Sequence, residues 1–226
     1  MYVPAHFRMS DEQVHGYIAS AQTADVVTVT DGVPEATFLP LQWVDDGTLW
    51  GRLRMHVARN NPIVRDYGRR EPGGQALVIV RGPDEYVSPA GLPSHEDTGR
   101  VVPTWNYVVV HAYGPLLLHE DSVWLREHVA QLSDRFESGS SEQWRTDDAP
   151  GDFIEKMLRA VVGVEIPIER VVAKCKFAQN KAPSDVQVLL RRAESRGDEQ
   201  CAAIYRDVAL PAARARAQTL RSLRRG

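Results

Sequence analysis

The sequence predicts an α+β fold, a closed or partly closed antiparallel β-barrel with helices packed outside. Two Asp-Gly turns join segments of alternating hydrophobicity, a strong hairpin signal. The hydrophobic period changes after residue 120, from two to about 3.6. The last third of the chain then reads mostly as helix.

Taken in order, Ser10 and Gln13 form a capping-box pattern ahead of a helix over 11–22. "DVVTVT" (25–30) and "VPEATFLPLQWV" (33–44) are strands joined at Asp31-Gly32. Asp46-Gly47 leads into a strand over 48–58, and Asn61-Pro62 opens a short helix over 62–67. The apolar run "QALVIVRG" (75–82) is a buried strand, and "EYVSPAG" and "VVPTWNYVVVHAYGPLLLH" add more strand. Leu125, Val129, Leu132 and Phe136 recur at helical spacing, so 121–137 is an amphipathic helix. Residues 138–150 read as a loop. Phe153, Met157 and Val161 mark a further helix that Gly163 should stop. Residues 164–178 return to strand. The expected division is a cofactor-binding barrel over 1–190 and a helical extension over 191–226.

Composition bounds the function. The chain has 226 residues, 43% hydrophobic and 25% charged, an ordinary globular balance. A formal net charge of −3 excludes a generic nucleic-acid binder, although five arginines follow Asp207 without an acid. No apolar run reaches membrane-spanning length, and no basic region precedes an apolar core at the N-terminus. Two cysteines without metal-like spacing, Cys175 and Cys201, suit free thiols in a cytoplasmic protein.

Three stretches carry chemistry. In 51–58, alternation places Leu53, Met55 and Val57 in the core and Arg52, Arg54, His56 and Ala58 on the other face. That second face is either solvated or a groove for an anion and a metal or hydrogen-bonded ligand. In 101–114, Trp105, Tyr107, Val109, His111 and Tyr113 share one face, which reads as core. Thr104 and Asn106 share the other with Val108 and Val110, suiting the edge of a heterocycle or porphyrin. In 171–181, Cys175 and Phe177 point into the core, Lys174 and Lys176 away, and Gln179-Asn180-Lys181 is a polar turn. His6, His15, His95, His119 and His128 read as surface residues.

"MYVPAHF", "HVARNNP" (56–62), "LVIVRGPDEYVSP" (77–89), "VVPTWNYVVVHAYG" (101–114), "VVGVEIPIERV" (161–171) and "KFAQN" (176–180) resemble the PaiB-like proteins, the FMN-binding negative transcriptional regulators. The resemblance implies a flavin-reductase-like split β-barrel with flanking helices, a homodimer, and a cofactor at the subunit seam. It assigns His56, Ala58, Arg59, Asn60, Thr104, Trp105, Asn106 and Lys181 to the cofactor. The chain departs from the family where Ala90-Gly91-Leu92 replaces Ser-Trp-Tyr, and at Phe38, Met55, Glu85 and Lys181. These positions are expected near the ligand, and the loss of two large side chains opens space there.

A branch of this ancestry, the haem-dependent piperazate synthases, is similar across the fold and binds haem b instead of FMN. On that resemblance the chain forms the N–N bond of L-piperazate by dehydrative cyclisation of N5-hydroxy-L-ornithine. His56 is the expected metal ligand, with His111 second. Glu85 and Arg54 are the expected catalytic residues, Glu85 for the substrate amine and Arg54, with Arg59 and Lys181, for carboxylates. The alternatives are an FMN-binding regulator of the PaiB type and a flavin reductase or oxidase. Expected partners are the amino-acid substrate and a second copy of the chain, not a membrane or nucleic acid.

Overall fold

The computed structural model describes residues 1–67 and 74–223. The chain runs α1 (Asp11–Ser20), β1 (Thr23–Thr30), β2 (Val33–Pro40), β3 (Gln42–Val44), β4 (Arg52–Ala58), α2 (Pro62–Tyr67), β5 (Gln75–Val87), α3 (Pro93–Thr98), β6 (Thr104–Pro115) and β7 (Leu117–His119). It continues through α4 (Ser122–Glu137), α5 (Gly151–Arg159), β8 (Val161–Pro167), β9 (Arg170–Lys176), α6 (Pro183–Ser195), α7 (Glu199–Ile204), a π-helical turn (Tyr205–Ala209) and α8 (Leu210–Leu223). One sheet has the order β2-β1-β5-β6-β9 and the other β3-β4-β8-β7.

The β1–β2 hairpin turns at Asp31 and Gly32, whose φ angles are +51° and +81°. Positive φ at both central residues matches the right-handed twist of the flanking strands. The expected single strand over 164–178 is two, β8 and β9, interrupted after Pro167. The expected strand over 48–58 begins at Arg52.

The residues divide into two compact units. One unit comprises 12–80 and 110–172. Its buried residues include Val26, Leu41, Leu53, Met55, Val57, Val78, Val162, Val164 and Ile166. Arg135 of α4 donates to three backbone carbonyls there, Ala19 and Ala21 at 2.9 Å and Leu41 at 3.3 Å. Two of these belong to the end of α1 and the residue after it, where carbonyls lack helical partners. Arg135→Ala is expected to lower stability by about 1–3 kcal/mol, read as a shifted urea midpoint with unchanged slope. An unchanged midpoint would show that water replaces the guanidinium without cost.

The other unit comprises 1–11, 81–109 and 173–226. Val186, Leu189, Ala193, Cys201, Ala202 and Tyr205 are buried in it. The boundary expected at residue 190 falls inside α6. Arg224 and Arg225 of the basic tail lie outside the described residues.

Candidate functional site

In the unit holding β4, the polar face of that strand packs under α4. Antiparallel register puts His56 of β4, Gly163 of β8 and His119 of β7 in one row. A Cβ on Gly163 would stand 2.1 Å from Trp124, so only glycine leaves room for the indole over this row. The His119 imidazole stacks on Trp124, centroids 4.3 Å apart and planes 6° apart. One helical turn after Trp124, His128 stacks against the same indole at 5.3 Å. The next row is ionic. Glu165, 3% exposed, accepts from Arg52 Nη1 at 2.9 Å and Arg54 Nε at 2.8 Å. Arg52 also pairs with Asp46 at 2.8 Å, and Arg54 lies 5.4 Å over the Trp124 ring.

His56 Nδ1 lies 3.2 Å from His128 Nε2, and His128 Nδ1 lies 3.2 Å from Gln42 Oε1. Burial pushes the pKa of His56 down, and that of His128 down to about 3, with His56 and Arg54 adding to the second effect. Both rings are therefore neutral near pH 7.

Several expectations need correction. His128 is fully buried, and His119 lies half-buried on a strand, so neither is a surface residue. Helix spacing alone could not show that His128 faces β4. Gly163 does not end a helix: α5 ends at Arg159 and Gly163 is a mid-strand gap. Met55 is fully buried on the face opposite His56, among the core residues of β4.

The face assignment of β6 is inverted. Asn106, Val108, Val110 and Ala112 are buried, whereas Tyr107, Val109, His111 and Tyr113 are half-buried and Trp105 is 54% exposed. Aromatic bulk suggested a core face, but the small residues pack inside.

Of the other expected site residues, Arg59 donates to Glu120 and to the carbonyls of Arg159 and Val161. Ala58 and Asn60 are exposed at the end of β4 and beyond it. In the second unit, Thr104 Oγ1 and the Trp105 carbonyl both accept from Lys176 Nζ. Asn106, 1% exposed, donates to the Tyr205 hydroxyl at 2.6 Å, and that hydroxyl donates to Glu85. Glu85 also accepts from Arg196 at 2.5 Å. Burial, then Glu85, pushes the Tyr205 pKa upward. The structure thus joins Glu85 and Asn106 through a tyrosine that the sequence did not single out. Glu85 and Arg54 lie in different units.

Gln179 explains the "KFAQN" turn. Its buried amide accepts from Phe177 N at 2.8 Å and donates to the Cys175 carbonyl at 2.7 Å, clasping Ala178 at φ +66°. Lys181 is half-buried just after it. Ala90 and Gly91 are exposed, Leu92 is buried, and Arg192 donates to the Ser88 and Ala90 carbonyls.

Cys175 and Cys201 are both buried, and burial pushes their thiols up to about 11 and about 12. Neither should react with Ellman's reagent at pH 8 in the folded protein, and both should react in urea. Rapid labelling of the native chain would contradict this. Among the described residues, no group of three or more His, Cys, Asp or Glu could hold a metal ion. No helix among them is long and apolar enough to cross a membrane.

A family model described as "Putative FMN-binding domain" matches residues 1–170. The chain belongs to this family. The family match includes the β4 histidine row and ends at the first residue of β9. Among curated relatives, the protease synthase and sporulation protein PAI 2 of Bacillus subtilis is 29% identical over 199 residues, covering 86% of this chain and 90% of that protein. Among solved structures, the FAD and heme binding protein from Mycobacterium smegmatis has a TM-score of 0.54 at 22% identity, covering 75% of this chain and 72% of that one. The flavocytochrome Anf3 from Azotobacter vinelandii has a TM-score of 0.54 at 16% identity, with coverages of 75% and 68%. The fold is the flavin-reductase-like split barrel with flanking helices.

Proposed function

We propose that the chain is a haem-dependent piperazate synthase. It closes N5-hydroxy-L-ornithine to L-piperazate: an N–N bond forms, the N–O bond breaks, and oxygen leaves as water with the proton from the α-amine. No external oxidant or reductant is consumed. The observation that carries the reading is the His56 imidazole, whose Nδ1 is engaged by His128 while Nε2 has no partner among the described residues. A neutral ring held at one nitrogen with a lone pair at the other is a donor that could hold a haem iron. The solved neighbours named for haem and for a flavocytochrome support the same choice, as does the loss of bulk that the resemblance implies at Ala90-Gly91-Leu92.

The chemistry a bound haem would supply is Lewis-acid polarisation of the hydroxylamine N–O bond. The chain supplies the rest. His56 Nε2 would hold the haem, and the Glu85 carboxylate, which Tyr205 and Arg196 hold in the other unit, keeps the role toward the substrate amine that the resemblance implies. Lys181, whose ammonium has no partner among the described residues, is available for a carboxylate, while Arg54 and Arg59 keep their pairs with Glu165 and Glu120. Ala58, Asn60, Thr104, Trp105 and Asn106 keep the cofactor roles that the resemblance implies. The working form is a homodimer.

The family description and the PAI 2 relationship favour a second reading, an FMN-binding regulator. Titration of the apo-protein with haem and with FMN, followed by absorption and by sedimentation, separates the two. Expected are a Soret band, haem binding tighter than FMN, and a dimer. Tight FMN binding without haem binding would leave the regulator reading standing, and a cofactor-loaded monomer would remove the dimer.

A further inference from the structure

A hydrogen-bond relay runs from His56 to the surface of α4. His56 Nδ1 meets His128 Nε2 at 3.2 Å, and His128 Nδ1 meets Gln42 Oε1 at 3.2 Å. Gln42 Nε2 donates to Gln131 Oε1 at 2.9 Å, and Gln131 Nε2 donates to Glu127 Oε1 at 2.9 Å. Four of the five members come from two short segments, Gln42 of β3 and the i, i+1, i+4 set Glu127, His128 and Gln131 of α4.

The direction of this relay follows from its last member. An ionised carboxylate only accepts, so the Gln131 side that faces Glu127 is the NH₂ group. The Gln131 carbonyl oxygen then faces Gln42 and requires a donor, which is the Gln42 NH₂. The Gln42 oxygen therefore faces His128, whose Nδ1 must carry the proton. Neutral imidazole has one proton, so His128 Nε2 is an acceptor and His56 Nδ1 is the donor to it. His56 is left with its lone pair on Nε2. Reversing any one link would set two donors or two acceptors against each other.

We infer that His128 is a positioning residue: it fixes the tautomer and ring orientation of His56, and the Gln42–Gln131–Glu127 arm sets the sense of that control. The inference rests on the reading of His56 as a haem ligand. A ligating histidine gains basicity and a fixed orientation when its other N–H has an acceptor, and loss of such an acceptor costs about 10–100-fold in metal affinity. The acceptor in this protein is a second imidazole buried between Trp124 and β4.

The test uses the apo-chain with ¹⁵N-labelled histidine, whose shifts distinguish protonated from lone-pair nitrogens. Wild-type His56 is expected to show a protonated Nδ1 and a bare Nε2. His128→Leu should mix the two tautomers, and His128→Gln, whose amide oxygen can accept, should restore the wild-type pattern. Glu127→Ala changes only an exposed side chain and should also shift the tautomer ratio. In haem titrations, His128→Leu should weaken binding about 10–100-fold and His128→Gln should recover most of it. A protonated Nε2 in the wild type, or a His56 pattern indifferent to both His128→Leu and Glu127→Ala, would overturn the inference. So would haem bound with unchanged affinity by His128→Leu. If the wild-type chain binds no haem, the cyclase reading falls, and the apo spectra alone decide the relay.

Discussion

His56→Ala is expected to abolish the wild-type haem spectrum and the cyclisation of N5-hydroxy-L-ornithine. The loss should exceed the roughly 10–100-fold expected for an orienting neighbour, because the ligand itself is removed. The fold should survive. His56 is flanked on β4 by Met55 and Val57, which bury on the opposite face and hold the strand. His111→Ala should be milder. His111 Nδ1 is buried without a partner, so nothing among the described residues orients that ring as His128 orients His56. Cys175 is a poor substitute, since burial holds its thiol protonated well above neutral pH. Absorption spectra and single-turnover assays on both variants check the ranking. An unchanged spectrum with full turnover in His56→Ala would place the ligand elsewhere, with His111 and then Tyr107 next.

Gly163→Ala should cost about 1–3 kcal/mol, the range of an overpacked interior, and should disturb the histidine row besides. The added methyl would meet Trp124 Cζ3 at 2.1 Å, far inside contact distance. Any shift of the indole disturbs its stacks on His119 at 4.3 Å and His128 at 5.3 Å. A lower urea midpoint and altered tryptophan fluorescence are the expected readings. Gly139→Ala is the control, since its Cβ would meet nothing within 4 Å. Equal effects from the two substitutions would mean that Gly163 makes no special room.

Local chemistry made much of the fold legible. Asp31-Gly32 specifies the turn and thereby the β1–β2 register. The 3.6-residue period of 121–137 specifies α4, and the structure adds a cap at its head, where Asp121 accepts from the Trp124 amide at 2.8 Å. Alternation in 52–58 separated Leu53, Met55 and Val57 from Arg52, Arg54 and His56 without any structure. The site was less legible. His56 could be singled out because it stands among arginines on one strand face. Its partner His128 could not, because the pairing spans 72 residues and depends on where α4 lies against the sheet. The β6 faces were misjudged for a related reason. Period two separates two faces, but it does not say which one is covered.

The sequence alone determined the α+β class, the β1–β2 turn and register, and the split of β4 into apolar and cationic faces. Each depends on interactions within a few residues, or on a side-chain period that the backbone geometry imposes. Tertiary structure alone decided the burial of Asn106 beneath an exposed Trp105, the commitment of Arg52 and Arg54 to Glu165, and the space at Gly163 for Trp124. It also decided the neutral state of two facing imidazoles. These follow from which surfaces lose water together: desolvation and pairing belong to neighbours in space, and chain separation carries no information about them.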